Sequence, residues 1–382
     1  MRRIISGILF SIFSVIAICQ DADSTKQELS RKQKRTEKVE QGKFMAFPFA
    51  TPAYTPELGP TLIGAVMMSF KTNPSDTIIQ RSSTPLNIGV STRGSYFFNT
   101  IISTYWFEDK MRIFGEVRFR NTPDHYWGVA YDNASSYPDR DESNAYVRSH
   151  WKINPMILWQ FREDFFLGLN IDYNWTKASD VNPNMETDPY FVKYGPVNFN
   201  SGLGLIIRYD SRDVPVNAWS GTLIDLQATY YAPFLGGENT FSVFQVDIRK
   251  FLKIVRPGST LALQVKSKIT GGDAPYPELA FLGSPYDLRG YYLGQYRDRS
   301  MVLGLAEYRY QFMKRDGTLS RHGAVGWVGT GSIAPKAYEF TYWLPNAGIG
   351  YRFEVQPRMN VRAEIGFGKD TRGFYFSFNE AF

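Results

Sequence analysis

The sequence predicts an all-β fold, a single sixteen-stranded antiparallel transmembrane β-barrel. Three observations predict it. Segments of about ten residues alternate polar and apolar side chains, the connections between them are short and long in turn, and aromatic residues make up 16% of the chain. Charged residues reach only 21%, which is low for a soluble surface and high for a helical membrane protein.

The amino terminus has the pattern of a secretory signal. Arg2 and Arg3 precede the apolar run 4–18, and Ala17-Ile18-Cys19 offers a small-x-small cleavage site, so we expect a cleaved signal peptide over residues 1–19. A retained anchor is the alternative, but the run is short for a spanning helix. A lipoprotein would acylate Cys19, although Ile18 is bulky for the position before such a cysteine. Cys19 is the only cysteine, so cleavage after it would leave no thiol for a disulfide, a nucleophile or a metal site.

Residues 20–43 are polar and charged with little apolar content, which predicts a flexible periplasmic tail. Its basic residues could touch anionic lipid head groups, but a flexible spacer is the interpretation we favour. Without Arg2 and Arg3 the formal charge falls from +6 to +4, too small an excess to indicate a nucleic-acid partner.

From residue 44 to 382, strand-length segments follow one another, and we assign all of this range to the barrel. A clear example places Gln245, Asp247 and Arg249 on one face and Val246 and Ile248 on the other, because successive side chains of a strand point to opposite faces. We expect strands at 44–49, 61–71, 84–92, 95–107, 110–121, 143–161, 165–177, 199–209, 220–232, 240–252, 259–270, 300–312, 323–331, 340–354, 358–368 and 371–382.

The connections indicate how the barrel is oriented. Glu108-Asp109, Arg256-Pro257-Gly258 and Gln356-Pro357 are short and polar, whereas the connections at about 122–142, 178–197 and 271–299 are long. Outer-membrane barrels have short periplasmic turns and longer outer loops, and an even strand number puts both ends of the barrel on the periplasmic side.

Four segments between residues 199 and 382 carry a resemblance to a known family. They are Tyr209-Asp210-Ser211-Arg212-Asp213, Leu288-Arg289-Gly290-Tyr291, Glu307-Tyr308-Arg309-Tyr310, and the terminal run from Gly373 to Phe382. Together they resemble the bacterial surface antigen barrel of the outer-membrane assembly-factor superfamily, which includes BamA and TamA-like insertases and two-partner secretion translocators. The spacing of the Arg-Gly-Tyr motif to Glu307 makes the resemblance specific.

The resemblance implies that the sixth outer loop folds back into the barrel lumen and places Arg289 against the twelfth strand. Glu307 and Arg309 point inward by parity, and the planar guanidinium of Arg289 suits a carboxylate contact. Gly290 would allow close approach of the loop to the wall, and Tyr291 would pack beside it. Arg289 could be a moving part, but a stabiliser of a fixed plug is the interpretation we favour.

Two departures from the family pattern are expected to matter. The 24-residue stretch 20–43 is too short for a periplasmic POTRA domain, so the chain resembles a POTRA-less branch. In the run Trp327-Val328-Gly329-Thr330-Gly331, Gly329 stands where the family usually has an aspartate facing the loop arginine. Glu307 would then be the remaining acidic partner of Arg289.

Three further features concern assembly and closure. We expect Asp210, Arg212 and Asp213 to form self-contained turn hydrogen bonds, with client binding as the alternative. The first strand contains Pro48, which removes one backbone donor, so we expect the weakest seam between the first and last strands. That seam could open sideways or could simply be strained. A C-terminal β-signal is predicted from Gly373, Phe376, Phe378 and Phe382, although an ordinary last strand would look similar.

Catalysis is not expected, because His125, His150 and His322 are scattered and no HExxH, GxSxG or phosphate-binding loop is present in the sequence. We therefore expect neither a cofactor nor a metal. The resemblance implies an outer-membrane protein that helps to insert or transport proteins or lipids without POTRA domains, with outer-membrane lipids and periplasmic or outer-membrane client proteins as partners. The alternative is a structural surface antigen, or a plugged or narrow passive pore.

Overall fold

The computed structural model describes residues 41–55, 59–136 and 144–382. The predicted signal peptide 1–19 and nearly all of the predicted tail 20–43 lie outside the described residues. Within them the chain is all-β, and its main feature is an antiparallel sheet of sixteen strands, as predicted. The strands follow the order β1 to β11 and then β14 to β18, so each neighbour in the sheet is also the next long strand in sequence.

The strands of the sheet are bounded as follows. They are β1 Met45–Thr55, β2 Gly59–Phe70, β3 Ser82–Ser91, β4 Tyr96–Trp106, β5 Met111–His125, β6 Ala145–Arg162, β7 Phe165–Ser179, β8 Val197–Asp210, β9 Gly221–Tyr231, β10 Phe241–Lys253, β11 Ser259–Gly272, β14 Ser300–Met313, β15 Leu319–Ala334, β16 Leu344–Gln356, β17 Met359–Phe367 and β18 Arg372–Phe378. Every one of the sixteen predicted segments overlaps one of these strands.

Short elements occupy the longer connections. A separate two-stranded sheet, β12 Ala280–Leu282 with β13 Tyr296–Asp298, lies in the connection between β11 and β14. Among the described residues, the α-helices are short, namely α1 Tyr131–Ser136, α2 Pro183–Thr187 and α3 Pro189–Tyr194. In the described part of the chain, no helix has both the length and the apolar character to cross a membrane.

Two strand boundaries correct the prediction. The first strand does not end at residue 49 but continues to Thr55. The last strand ends at Phe378 rather than residue 382, because Asn379 has a left-handed backbone with φ of 60° that takes the chain out of the extended conformation.

The sheet has one apolar and one polar face. On β7, Leu167, Leu169 and Ile171 are 40–57% exposed, whereas the intervening Asn170 and Asp172 are 1% and 6% exposed. Apolar side chains on the open face and polar ones on the enclosed face reverse the arrangement of a soluble sandwich. This reversal is typical of a membrane-spanning sheet.

Aromatic rows cross the apolar face at two levels. Phe119 is in register with Trp151, Trp151 with Trp175, and Trp175 with Phe199, so one row continues over four strands. A second row includes Trp159, whose ring lies 6.4 Å from that of Phe107. Along β6, a rise of ~3.3 Å per residue and a tilt of ~40° separate Trp151 from Trp159 by about 20 Å across the membrane. That distance is near the height of an outer-membrane apolar band.

The first and last strands are adjacent through side chains. The ring of Phe49 on β1 lies 5.8 Å from that of Phe376 and 5.5 Å from that of Phe378 on β18. Ser69 of β2 donates a 2.6 Å hydrogen bond to Gln356 of β16. Among the described strands, however, no backbone ladder joins β1 to β18. The two edges of the sheet therefore meet without strand pairing.

Candidate functional site

The connection between β11 and β14, residues 273–299, is attached to the sheet at two separate places. Its first attachment is Glu278, whose Oε1 accepts hydrogen bonds from the side-chain amides of Asn174 at 2.5 Å and Asn200 at 3.2 Å. Lys268 donates to the main-chain oxygen of Glu278 at 2.8 Å. Burial, and then the neighbouring Asp172 carboxylate, raise the pKa of Glu278 above its ordinary value.

The second attachment is Arg289, which forms two buried ion pairs. Its Nη2 lies 2.6 Å from Oε2 of Glu307 on β14, and its Nη1 lies 3.0 Å from Oε1 of Glu364 on β17. All three side chains are 0% exposed. Burial by itself would lower the pKa of Arg289, but the two carboxylates raise that pKa above its ordinary value. The guanidinium therefore remains charged and joins the loop to two strands that are not neighbours in the sheet.

An aromatic ring and an amide complete the surroundings of Arg289. The guanidinium carbon lies 3.6 Å from the ring centroid of Trp327 on β15, within cation–π distance. The Trp327 indole N–H donates to Oδ1 of Asn346 on β16 at 2.9 Å, and Asn346 in turn donates to the main-chain oxygen of Arg289. The sequence pattern identified the run containing Trp327 but missed these three contacts.

The loop approaches the sheet closely because two glycines face each other. Gly290 has φ of +116°, and a Cβ there would lie 2.5 Å from the carbonyl carbon of Phe367 at the end of β17. A Cβ on Gly366 would lie 2.8 Å from the carbonyl carbon of Arg289. Any larger residue at either position would force the loop away from β17. The predicted role of Gly290 in close approach therefore has a geometric basis.

The other motif residues pack around this contact. Leu288 is 0% exposed and belongs to an apolar cluster that includes Leu303 and Leu305 of β14. The Tyr291 hydroxyl donates to the main-chain oxygen of Pro345 at 2.7 Å and accepts from the N–H of Lys369 at 2.9 Å. Tyr291 thus lies beside the arginine, as expected, but its bonds go to the ends of β16 and β17.

The ion pairs of Arg289 belong to a larger group, which we name the arginine–glutamate cluster. Its members are Arg289, Glu307, Arg309, Arg352, Arg362, Glu364 and Glu380, all of which are buried. Arg309 Nε contacts Glu307 at 2.7 Å, and Arg362 Nη1 contacts Glu364 at 2.9 Å. Each carboxylate that binds Arg289 therefore has a second cationic partner.

The last residues of the chain enter the same cluster. Glu380 pairs with Arg352 and lies 3.6 Å from Arg309, while the main-chain oxygen of Phe382 accepts from Arg309 at 2.7 Å. Phe382 is 6% exposed, and its ring lies 5.1 Å from the Arg309 guanidinium. The assignment of Phe382 to the last strand is therefore wrong, and its side chain packs inside instead.

The expectation that Glu307 would be the only acidic partner of Arg289 is also corrected. Gly329 carries no acid, as the sequence shows, but Glu364 supplies a second carboxylate from β17. The sequence does indicate which face Glu364 occupies, because strand parity places it on the polar face with Asn360 and Arg362. Parity alone gives no depth along the strand, so Glu364 could not be connected to Arg289.

The turn motif does more than form local hydrogen bonds. Asp210 pairs with Arg212 at 2.7 Å as expected, but its other oxygen pairs with Arg112 of β5 at 2.6 Å. Asp213 accepts from the N–H of Trp219 at 2.9 Å and pairs with Arg358 at 2.9 Å. The end of β8 therefore contacts β5, and the β8–β9 turn, residues 211–220, contacts the β16–β17 turn, which is distant in the sheet order.

The remaining predicted residues lie in the edge strands. Pro48 is in β1, where it is paired in register with Val66 of β2. Gly373, Phe376 and Phe378 are in β18, and Phe376 is 49% exposed on the apolar face.

Within residues 41–55, 59–136 and 144–382, no group of His, Cys, Asp or Glu side chains could hold a metal ion. What this arrangement can do is hold a loop rigidly against the sheet.

Comparison with known proteins agrees with this architecture. Residues 82–382 match the Omp85 superfamily domain. The fold is similar to that of BamA from Haemophilus ducreyi lacking POTRA domains 1-3, with a TM-score of 0.53 and 13% identity over 89% of this chain and 70% of that one. No curated protein sequence matches the chain.

Two solved structures of CdiB are also similar. CdiB from Acinetobacter baumannii gives a TM-score of 0.50 and 11% identity over 88% of this chain and 59% of its own. CdiB from Escherichia coli gives 0.54 and 10% identity over 88% and 61%. This chain thus spans about three fifths of either CdiB chain. The predicted family resemblance is confirmed: the chain belongs to the Omp85 superfamily and is an outer-membrane β-barrel protein similar in fold to BamA and CdiB.

Proposed function

We propose that this protein is an assembly or translocation factor that helps to insert or move proteins or lipids at the outer membrane. The observation that carries the proposal is the seam, where the described parts of β1 and β18 touch through Phe49, Phe376 and Phe378 but share no backbone ladder. Membership of the Omp85 superfamily and the fold likeness to BamA and CdiB support it.

In this proposal the sixteen-stranded sheet closes into a barrel, and the β11–β14 connection lies inside the barrel. The two attachments of that connection support this geometry, since Glu278 binds β7 and β8 while Arg289 binds β14 and β17. In a closed wall, a segment attached to both β7 and β17 would cross the enclosed space. The buried ion pairs make this plug a fixed part against which other parts can move.

The seam supplies the moving part. Strand edges carry unpaired N–H and C=O groups, which can pair with an additional strand or meet lipid. Pro48 has no N–H, so β1 has one backbone donor fewer than an ordinary strand. A continuous set of backbone hydrogen bonds to β18 would therefore be weaker. In this proposal a client strand or a lipid enters where β1 and β18 separate. Residues 1–19 would act as a cleaved signal for export, and outer-membrane lipids and client proteins would be the partners.

A second candidate is a structural surface antigen or a plugged, narrow passive pore. The contacts of the β8–β9 turn favour this second candidate. Asp213 and Asn217 accept hydrogen bonds from Arg358, which lies in the β16–β17 turn, distant in the sheet order. In this second candidate, those contacts would obstruct the end of the barrel where β1 begins. A protein with both a fixed loop and an obstructed end would conduct few ions and transport little protein or lipid.

A disulfide lock at the seam separates the two candidates. Phe49→Cys and Phe376→Cys would be combined in a Cys19→Ser background, and Phe98→Cys with Phe119→Cys provides the control, since those rings are 6.2 Å apart on the paired strands β4 and β5. Insertion of a denatured β-barrel client into proteoliposomes would be measured before and after oxidation. Loss on locking the seam, recovery on reduction and no effect of the control lock support the proposal. Full activity with the seam locked rejects lateral opening, and a large steady single-channel conductance would indicate a pore.

A further inference from the structure

A cavity of about 780 Å³ lies outside the arginine–glutamate cluster, between residues 72–78 and the β4–β5 hairpin. It is at the end of the sheet where β1 begins and β18 ends. Polar groups of 72–77 line one side, and Trp106, Phe107, Glu108 and Lys110 line the other. None of these residues takes part in the loop anchor or in the seam.

The two sides of the cavity are tied together by one carboxylate. Asp76 Oδ1 accepts from the N–H groups of Ile78 at 2.8 Å and Ile79 at 3.1 Å, and its Oδ2 accepts from the N–H of Glu108 at 3.0 Å. Asp76 therefore links its own turn to the hairpin on the other side of the cavity. Its negative charge remains part of the lining.

Two charged groups of the cavity form an exposed ion pair. Lys110 Nζ lies 3.1 Å from Glu108 Oε2, and the two side chains are 57% and 58% exposed. An exposed ion pair of this kind contributes little to stability. Each side chain can therefore release the other and bind a ligand group of opposite charge instead. With Asp76, the lining carries two acidic groups and one basic group, which favours a ligand with a cation as well as an anion.

The rim of the cavity is apolar and lies at the level of the membrane surface. Phe107 is 60% exposed and contacts Trp159 in the aromatic row, and Ile78 is 61% exposed. Trp106 precedes Phe107 on the apolar face, where it is in register with Met111. Rows of Trp and other aromatic residues mark the depth of lipid head groups. The cavity thus opens toward head groups, with acyl chains beside its rim.

We propose that this cavity binds the head group of a zwitterionic phospholipid of the phosphatidylethanolamine type. The phosphate would lie on Lys110 and the primary ammonium on Glu108, while the acyl chains would run past Phe107 and Ile78. A primary ammonium can donate hydrogen bonds to the Glu108 carboxylate, which a quaternary ammonium cannot. An anionic lipid without a cation would meet Asp76 and Glu108 unfavourably.

Native mass spectrometry of the full chain in detergent tests this site, with dioleoyl phosphatidylethanolamine, phosphatidylglycerol and phosphatidylcholine as separate probes. We expect one phosphatidylethanolamine to be retained at least tenfold more tightly than either other lipid. Lys110→Ala and Glu108→Gln should each weaken its binding by about tenfold, while heat resistance on gels stays unchanged. The matched control is Lys336→Ala with Glu339→Gln, a 2.9 Å exposed ion pair in the β15–β16 connection, which should leave binding unchanged.

Three outcomes would overturn the assignment. Equal retention of all three lipids, unaffected by either cavity variant, would indicate a non-specific lipid shell. Preference for phosphatidylglycerol would mean that the cavity recognises an anion alone. Equal retention of phosphatidylethanolamine and phosphatidylcholine would remove the role given to the Glu108 hydrogen bonds.

Discussion

Arg289 and Glu307 form a fully buried ion pair in which Nη2 lies 2.6 Å from Oε2, and both side chains are 0% exposed. Removing two charges from water is costly unless each is paired and hydrogen-bonded. Glu307 meets that condition through Arg309, and Arg289 meets it through Glu364. The ion pairs of Arg289 with Glu307 and Glu364 would both have to break before the loop arginine could move. The geometry favours a fixed anchor over a moving part.

Replacement of Arg289 by Ala should lower the heat-resistant folded fraction on gels and destabilise the protein by about 3 kcal/mol in urea unfolding. The value lies at the low end for a broken buried pair because Glu307 and Glu364 keep Arg309 and Arg362. Arg289→Lys should fall between wild type and Arg289→Ala, since an ammonium cannot extend to both carboxylates as a planar fork does.

Two controls make this result specific to the anchor. Lys336→Ala, in an exposed ion pair, should change stability by less than about 0.5 kcal/mol. The double variant Arg289→Ala with Glu364→Gln should be less destabilised than the sum of the single variants, because both remove the same contact. Unchanged folding of Arg289→Ala, together with an unchanged pore conductance, would contradict the anchor.

Replacement of Gly290 by Ala tests the close approach of the loop without changing a charge. The backbone there has φ of +116°, and an added Cβ would lie 2.5 Å from the carbonyl carbon of Phe367. We expect the loop to detach from β17 and to become sensitive to limited proteolysis, with a loss of about 2–4 kcal/mol from strain and lost contacts. Gly271→Ala is the matched control, because nothing lies within 4 Å of a Cβ there. Protection equal to wild type in Gly290→Ala would show that the contact with β17 is not needed.

The strands were predictable because the period of a strand is local information. Alternation such as Leu169, Asn170, Ile171 and Asp172 reports which face each side chain occupies, and a short stretch is enough to read it. The inward direction of Glu307 follows from the same parity. The fold class could therefore be predicted from parity, whereas the Arg289–Glu307 contact was expected only because the family resemblance places Arg289 against the twelfth strand.

The missed contacts depend on how distant strands are staggered. Asp213 and Arg358 are 145 residues apart in sequence, and Arg289 and Glu364 are 75 apart. Whether such residues meet depends on sheet curvature and on relative depth, which a two-residue period does not encode. The end of β18 was missed for a different reason. Phe382 has the same parity as Phe374, Phe376 and Phe378, and that parity does not encode the left-handed backbone of Asn379, which ends the strand.

The β8–β9 turn should lose its long-range attachment in Arg358→Ala. Arg358 pairs with Asp213 at 2.9 Å, donates to the main-chain oxygen of Asn217, and lies 3.6 Å above the Trp219 ring. Burial by itself would raise the pKa of Asp213, but Arg358 and the backbone N–H groups of Trp219 and Ser220 keep it below the ordinary value, so removal of Arg358 leaves a part-buried carboxyl group without its cation. We expect a loss of about 2 kcal/mol and proteolysis within residues 211–220.

The matched control for that variant is Lys314→Ala, at an exposed position in the β14–β15 turn. If the turn obstructs the barrel, single-channel conductance should also rise in Arg358→Ala and not in Lys314→Ala. Unaltered proteolysis and conductance in Arg358→Ala would mean that the turn is held by other contacts.

The stability of the protein should fall in acid through Glu380, which follows the last strand. Burial by itself would raise the pKa of this carboxyl, but the adjacent Arg352 and Arg309 guanidinium groups hold it at about 2, below its ordinary value of 4.5. A carboxylate with a lowered folded-state pKa stabilises the fold at pH above its unfolded value, and this stabilisation is lost as the pH falls through the folded value. The full contribution is on the order of 3 kcal/mol, of which about 2 kcal/mol should disappear between pH 7 and pH 3.

Urea unfolding of wild type and Glu380→Gln at pH 7, 5, 4 and 3 measures that loss. The neutral amide cannot titrate, so the stability difference between the two proteins should be largest at pH 7 and should narrow steadily below pH 4.5. Glu339→Gln, in an exposed ion pair, should give a small difference with no such narrowing. Parallel pH profiles for wild type and Glu380→Gln would mean that Glu380 is not paired with Arg352 and Arg309 in the folded protein. The inward course of residues 379–382 would then be wrong, because that course is what brings Glu380 to those arginines.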